Sequence, residues 1–225
     1  MVTFGPSRGE GEGVITQDGC AVEVYRRFPY RGELDLLASH LPARCSVLEL
    51  GCGTGRLTGP LLERGHAVTA VDNSPEMLRH VPGGAIQACC DIEQLELGRT
   101  FDRVLLASNL INIGDDTARR LQLGTCRSHL SLGGALLFQR FDPAWLRAVE
   151  PGPFPSVGEV EIAIERVVRQ GSAVHISVRY DVGNARWRHH FTARLLEDDD
   201  VRLTLLESGF REPAWIDARW GVAEI

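Results

Sequence analysis

The sequence predicts an α/β fold built on a mostly parallel sheet, and three observations carry that prediction. Short apolar runs at Val47–Leu50, Ala67–Val71 and Phe101–Ala107 are separated by stretches with helical spacing, the pattern of βαβ units. The first run breaks on three glycines, Gly51, Gly53 and Gly55. The second ends in a carboxylate, Asp72, roughly 20 residues after the first glycine, a distance at which an acid can accept both hydroxyls of a ribose.

The elements follow in order. Residues 1–13 are rich in Gly, Ser and Glu, and a mobile tail is expected over residues 1–17. A helix is expected around Val22–Arg27, then a turn through Pro29 and Gly32, then a helix over Glu33–Leu41. Arg56–Arg64 carries Leu57, Leu61 and Leu62 at helical spacing, and Gly65 supplies its stop. Phe101–Ala107 reads as the fourth strand and Ala135–Phe141 as the fifth, with a helix between them from about Thr117. Asp115 or Asp116 is placed to cap that helix.

After a Pro-rich link, Pro143–Pro155, come three alternating runs: Glu159–Arg169, Ala173–Asp181 and Arg186–Leu195. Gln170–Ser172 and Gly183–Asn184 supply the turns, so an antiparallel three-stranded meander is expected, inserted as a cap over residues 143–195. The main domain would then comprise residues 18–142 and 196–225, closing with a helix over Asp198–Ser208 and strands near Arg211–Ile216 and Gly221–Ile225.

The glycine turn favours one class of cofactor. A dinucleotide site uses GxGxxG to seat a pyrophosphate on a helix N-terminus, whereas this chain has GxGxG with Glu49 two residues before the first glycine. A carboxylate there repels a pyrophosphate and attracts a cation. S-adenosylmethionine carries both an ammonium and a sulfonium.

At this point the chain resembles the class I S-adenosylmethionine-dependent methyltransferases, of the bacterial small-molecule type. The resemblance rests on ELGCGTG at Glu49–Gly55, AVDNSPEML at Ala70–Leu78, CDIEQL at Cys90–Leu95, FDRVLLASNLIN at Phe101–Asn112 and LSLGGALLF at Leu130–Phe138. It implies a Rossmann-like three-layer αβα sandwich with a seven-stranded sheet. It also implies that Glu49, Gly51, Gly53 and Gly55 hold the methionine part of the cofactor. Asp72 would bind the ribose, Asn73 and Met77 the adenine side, Asp91 the adenine amino group with Ile92 beside it, and Ser108, Asn109 and Leu110 the floor beneath the sulfonium. The residues alone also allow Glu49 as an ordinary strand-end carboxylate, Asp72 and Asp91 as turn caps and Met77 as core.

Composition narrows the partners. A chain of 225 residues can bury one substantial α/β core, and its net charge of −6 gives no footprint for nucleic acid or an anionic membrane. No apolar run approaches the roughly 20 residues of a membrane span, and the first residues show no signal-peptide core, so a cytoplasmic protein is expected. Cys20, Cys45, Cys52, Cys89, Cys90 and Cys126 form no CxxC pair, no zinc spacing and no disulfide framework. Cys89 and Cys90 are expected to pack in the core. Every basic side chain outside histidine is arginine, which fits a GC-rich bacterial genome. Asn109, Asn112, Asp115 and Asp116 cluster after the fourth strand, but without the spacing of a metal site, and no metal is expected.

Candidate residues for chemistry come from outside the glycine unit. Alternation in the meander places Trp187, His189 and Phe191 on one face and Arg186, Arg188 and His190 on the other. His189, Tyr25 and Asn112 are the catalytic candidates, with His190 a further possible base. Tyr30, Arg140, Trp187 and Arg188 are the substrate-binding candidates, the arginines as bidentate anchors for a carboxylate. The bland alternatives are that Tyr25 and Tyr30 staple a helix to the body, and that one of the paired histidines is buried and hydrogen-bonded while the other is solvated. The expected reaction moves a methyl group to N or O of a small-molecule acceptor in bacterial natural-product metabolism, leaving S-adenosylhomocysteine, by a monomer or homodimer. Two alternatives stand beside it: intramolecular cyclisation of the cofactor with release of 5′-methylthioadenosine, and a non-catalytic binding module.

Overall fold

The structure is a computed structural model that describes residues 6–225. From the N-terminus it runs β1 (Arg8–Gly11), α1 (Val22–Tyr25), α2 (Glu33–Leu36), β2 (Ser46–Leu50), α3 (Thr58–Glu63), β3 (Ala67–Asp72), α4 (Pro75–Leu78) and β4 (Ile86–Cys89). It continues with β5 (Phe101–Leu106), α5 (Asp116–Ser128), β6 (Leu130–Gln139), α6 (Pro143–Ala148), β7 (Gly152–Val157), β8 (Val160–Gln170), β9 (Ala173–Val182) and β10 (Ala185–Arg194). The chain closes with α7 (Asp198–Glu207), β11 (Ala214–Trp215) and β12 (Trp220–Glu224).

Seven strands form one sheet in the order β11-β12-β6-β5-β2-β3-β4, parallel except where β12 meets β6 and β11. Successive residues of β2 serve opposite layers. Leu48 and Leu50 join Leu123, Cys126, Val201 and Leu205 of α5 and α7, while Val47 joins Leu34 and Leu61 of α2 and α3. This is the αβα sandwich expected from the sequence. The chain winds from β2 out to β4 and then returns to β5 on the other side of β2. That reversal opens a crevice at the carboxyl end of β2, where ligands of such sheets bind.

The separate antiparallel sheet has five strands in the order β1-β10-β9-β8-β7, two more than the meander predicts. Its core, β8 to β10, matches the three alternating runs. The additions come from segments that composition reads as irregular. Arg8–Gly11 pairs with Trp187–His190, so this part of the expected mobile tail is an edge strand; residues 1–5 of that tail lie outside the described residues. The Pro-rich link holds α6, started by Pro143 and capped by the Asp142 carboxylate on Ala144 N at 2.8 Å, followed by β7 on the other edge. Both prolines of β7, Pro153 and Pro155, lie on an edge strand, where a missing N–H is tolerated.

One face of this sheet, with Val174, Ile176, Val178, Tyr180 and Trp187, packs on Ala21, Val24, Leu146 and Val149. The other carries the ion pairs Arg188–Glu165, Arg179–Asp181 and Arg186–Asp181. Cys89 is exposed on the edge strand β4, contrary to the core role expected for it, because among the described residues no further strand pairs with that edge.

Candidate active site

The crevice is built by the glycine turn. Gly51, Gly53 and Gly55 all have positive φ, at 66°, 55° and 83°. A Cβ on Gly51 would lie 2.5 Å from Leu110 Cδ1, and one on Gly55 would lie 2.6 Å from Pro82 Cδ, so these two glycines are demanded by packing. Gly53 differs: a Cβ there would meet nothing within 4 Å, so its backbone faces open space, ready for a ligand to lie against it.

Two carboxylates flank this surface. Asp72 at the end of β3 accepts from Gly53 N at 2.8 Å and Ser74 N at 2.9 Å, which locks the turn to the neighbouring strand. Burial raises its proton affinity, partly offset by those amides, and the carboxylate keeps unused lone pairs. Glu49 is buried at 2 % exposure and accepts from the Thr58 hydroxyl at 2.6 Å. No cation is bonded to it, and burial pushes its carboxyl up to about 7. Such a group waits for a positive charge.

Beyond β3, Asn73 Nδ2 donates to Asp91 Oδ1 at 2.9 Å, joining the expected adenine-side residues. Asp91 is exposed, Ile92 buried behind it, and Met77 is buried with Cys20, Val22 and Tyr25. Opposite, Ser108 and Asn109 both adopt left-handed backbone, at φ 56° and 59°. Two consecutive non-glycine residues in that region are strained, and Gln139 holds the bend by accepting from Ser108 N at 2.8 Å. Asn109 Oδ1 is buried without a hydrogen-bond partner, an acceptor suited to a donor group of a ligand.

The fit to S-adenosylmethionine is therefore specific. The open cradle over Gly53, a buried unpaired carboxylate, a second carboxylate at the strand end and an orphaned amide oxygen match the donor-rich, cationic shape of that molecule. Of the twelve residues expected to hold it, Glu49, Gly51, Gly53 and Gly55 lie at the end of β2, Asp72, Asn73 and Met77 at the end of β3 and in α4, Asp91 and Ile92 after β4, and Ser108, Asn109 and Leu110 after β5, the four strands being neighbours in the sheet.

The other candidates separate. His189 is buried, and its Nε2 lies 3.0 Å from the Asp18 carbonyl; a carbonyl only accepts, so Nε2 carries the proton. Burial lowers its pKa, leaving a neutral ring with the lone pair on Nδ1. His190, on the opposite face, bonds Ser177 Oγ at 2.7 Å. Trp187 Nε1 donates to the Glu12 carbonyl at 2.7 Å, so Trp187 and His189 together clamp the N-terminal segment onto the cap. Tyr25 is half-buried between that segment and the glycine turn, and Thr54 Oγ1 donates to its carbonyl at 3.3 Å. Desolvation, with Cys20 and Tyr180 nearby, raises its phenol well above the ordinary value.

Four expectations are corrected. Tyr30 Oη accepts from Leu34 N at 3.0 Å and from Arg64, so its hydroxyl staples α2 to the end of α3. Arg140 is buried with each guanidinium nitrogen engaged, donating to the carbonyls of Ala218 and Leu196 and to Asp198, 3.8 Å over the Trp215 ring. Arg188 lies on the far face of the cap, paired with Glu165 at 2.8 Å, because alternation sets it opposite to Trp187 and His189. Asn112 has both amide atoms committed, donating to the Arg194 carbonyl at 2.8 Å and accepting from Phe141 N at 2.9 Å, so it is a brace between body and cap. Asp115 caps α5 through Thr117 N and Ala118 N, and Asp116 pairs with Arg119 and Arg194. Among the described residues, no group of three or more His, Cys, Asp and Glu side chains is placed to hold a metal ion.

Sequence reasoning missed Asp18. It lies in a tight loop closed by an Ile15–Ala21 bridge, within the span read as a tail and its edge. The only signal for it was the Thr16–Gly19 turn composition.

The family of methyltransferase domains matches residues 47–134. Cypemycin N-terminal methyltransferase of Streptomyces sp is 31% identical over 140 residues, which covers 56% of this chain and 57% of that protein. The chain spans between about a quarter and little more than half of the length of such curated relatives, 28% of one and 57% of another. Among solved structures, an S-adenosylmethionine-dependent methyltransferase from Clostridium acetobutylicum superposes with a TM-score of 0.73 at 20% identity, covering 90% of this chain and 94% of that one. An amino pentose methyltransferase from Micromonospora echinaspora, involved in calicheamicin biosynthesis, gives 0.67 at 20% identity over 95% of this chain and 99% of its own. Residues 47–134 thus match the methyltransferase-domain family, and the chain as a whole shares the fold of S-adenosylmethionine-dependent methyltransferases.

Proposed function

We propose that this protein transfers a methyl group from S-adenosylmethionine to N or O of a small-molecule acceptor in bacterial natural-product metabolism. The observation that carries the reading is the crevice at the carboxyl end of β2, where open backbone at Gly53 lies between buried Glu49 and the Asp72 carboxylate. When bound, the cofactor supplies an electrophilic methyl on a sulfonium. Glu49 takes the ammonium of its amino-acid part, Asp72 its ribose hydroxyls, and the Asn73–Asp91 pair with Ile92 and Met77 its adenine. Ser108, Asn109 and Leu110 form the floor, with Asn109 Oδ1 accepting from the cofactor. Trp187 and His189 hold the N-terminal segment beside the crevice, while Tyr25 closes the methionine end. His189 Nδ1 is the basic atom best prepared to take a proton from an acceptor hydroxyl.

The likeness to the amino pentose methyltransferase of calicheamicin biosynthesis supports a small-molecule acceptor in this reading. Among the described residues no helix is long and apolar enough to cross a membrane, and the six cysteines are unpaired, in keeping with a reducing cytoplasm.

The test is calorimetric titration with S-adenosylhomocysteine, followed by mass spectrometry of the nucleoside released from S-adenosylmethionine in the presence of candidate acceptors. Binding and acceptor-dependent release of S-adenosylhomocysteine are expected. Release of 5′-methylthioadenosine instead would replace methyl transfer by cyclisation, and absence of binding would overturn the cofactor site.

A further inference from the structure

We infer that the acceptor is an amine, held as its ammonium by the Asp18 carboxylate against the rings of Tyr25, Phe28 and Tyr180. The inference rests on the methyl-transfer reading and narrows its acceptor.

Asp18 is presented by a rigid loop. Its carboxylate accepts from the Thr16 hydroxyl and, at 3.5 Å, from the Cys20 thiol, while its carbonyl is gripped by His189 at 3.0 Å. The turn is packed so tightly on β1 that a Cβ on Gly19 would lie 2.3 Å from the Arg8 backbone. Cys20 in turn packs with Met77 and Tyr25, which places the loop beside the cofactor crevice. Each carboxylate oxygen of Asp18 keeps lone-pair capacity beyond its one partner, and the side chain is exposed, so an incoming donor can reach it.

Aromatic rings continue from Cys20, which donates to the Asp18 carboxylate and packs with Tyr25. Tyr25 and Phe28 meet edge to face at 5.4 Å, and Phe28 and Tyr180 at 6.1 Å, spanning from α1 to the inner face of the cap. Ring faces and a carboxylate together recognise an alkylammonium, by cation–π attraction and a charge-assisted hydrogen bond.

The surrounding charge excludes the opposite class. Asp18 adds to the negative field that raises Asp72, and Glu49 lies on the same crevice. Arg26 and Arg27 pair with Glu23 and Glu159, and Arg56 pairs with Glu33. Arg140 and Arg188, the two expected carboxylate anchors, are committed elsewhere. A carboxylate or phosphate acceptor would enter a field of its own sign.

The chemistry balances without a further reagent. The ammonium held by Asp18 releases a proton to water at the exposed side of the carboxylate. The amine lone pair then forms the N–C bond to the methyl as the C–S bond breaks and its electron pair stays on sulfur, leaving a methylated ammonium and S-adenosylhomocysteine.

The test uses the full chain saturated with S-adenosylhomocysteine and three probes of one skeleton: cyclohexylamine, cyclohexanol and cyclohexanecarboxylate, titrated by calorimetry or ligand-observed NMR. Cyclohexylamine should bind most tightly, and Asp18→Asn should weaken it about tenfold, the scale of one charge-assisted hydrogen bond. Asparagine keeps an acceptor oxygen for Thr16 and gives up only the long contact from the Cys20 thiol, so the loop holds and the affinity for S-adenosylhomocysteine should stay within about twofold, well under one charge-assisted bond. Tighter binding of cyclohexanecarboxylate, no binding of cyclohexylamine, or equal amine affinity in both proteins would overturn the inference while leaving methyl transfer intact. Failure of S-adenosylhomocysteine itself to bind would remove the underlying reading, and this one with it.

Discussion

Asp72 Oδ2 accepts a hydrogen bond from Gly53 N at 2.8 Å, which ties the end of β3 to the middle of the glycine turn on β2. That one contact shapes the crevice: it holds Gly53 at φ 55° with nothing in front of it. Replacing Gly53 by valine clashes with no protein atom at Cβ but puts a β-branched residue in left-handed backbone, so folding stability should fall by about 1–2 kcal/mol. The side chain would then fill the cradle, and S-adenosylhomocysteine affinity should fall by far more than stability, about a hundredfold or beyond, as about 3 kcal/mol is lost. Urea unfolding and calorimetric titration of the same variant separate the two effects. Unchanged affinity would mean that the ligand lies elsewhere.

Glu49 gives a pH signature. Its carboxyl is raised to about 7 by burial, above the value it has in the unfolded chain. The folded protein therefore holds a proton that the unfolded chain has already lost, and this group's contribution falls as pH rises from about 4.5 through about 7. Glu49→Gln removes that penalty, and the ligand-free variant should gain stability over the parent at pH 8 by up to about 3 kcal/mol, with little difference at pH 4. The cofactor's ammonium asks for the ionised form. Affinity for S-adenosylhomocysteine in the parent should thus climb as pH passes through about 7, and the Gln variant should bind weakly at every pH. Melting temperatures across pH, with and without ligand, read both trends; a parent and variant with parallel pH profiles would contradict the assignment.

Asn112 separates bracing from catalysis. Its amide joins the loop after β5 to the Arg194 carbonyl on β10 and to Phe141 N at the end of β6. Asn112→Ala strands both backbone groups and should cost about 2 kcal/mol of stability, since two partly buried partners lose their bonds. The substitution touches neither the glycine turn nor Asp72, so S-adenosylhomocysteine affinity should change by less than about threefold, under 1 kcal/mol. Loss of turnover in a fully folded variant at saturating substrates would restore a chemical role.

Much of this was legible in the sequence because local chemistry set it. Gly51, Gly53, Gly55, Glu49 and Asp72 lie within one βαβ unit, where residue type and spacing alone define the turn, the strand end and the sign of the field. The alternation of Val174 to Tyr180 against Trp187 to Phe191 likewise named the buried face of the cap. What failed was long-range partnership. Arg140 and Arg188 look identical in sequence, yet the first is surrounded by carbonyls from residues about the 196–218 region and the second faces Glu165. Arg8–Gly11 was read as tail because glycine-rich composition signals flexibility, while its order comes from pairing with β10, nearly the whole chain away; Asp18, at the start of the expected main domain, was given no role because its partner His189 is equally distant.

The two arginines supply the last test. Arg140 is buried under Trp215, with every nitrogen of its guanidinium committed to Ala218, Leu196 or Asp198, whereas Arg188 is an exposed partner of Glu165. Arg188→Ala removes a solvent-screened pair and should change stability by less than about 1 kcal/mol. Arg140→Met keeps bulk against Trp215 but leaves two carbonyls without donors, and should cost about 2–4 kcal/mol. Neither side chain reaches the crevice, so acceptor KM should stay within about twofold for both, a change under 0.5 kcal/mol. Chemical denaturation ranks the stabilities and steady-state kinetics reads KM. A selective rise in KM for either variant would return that arginine to the acceptor site and, with it, an anionic group to the acceptor.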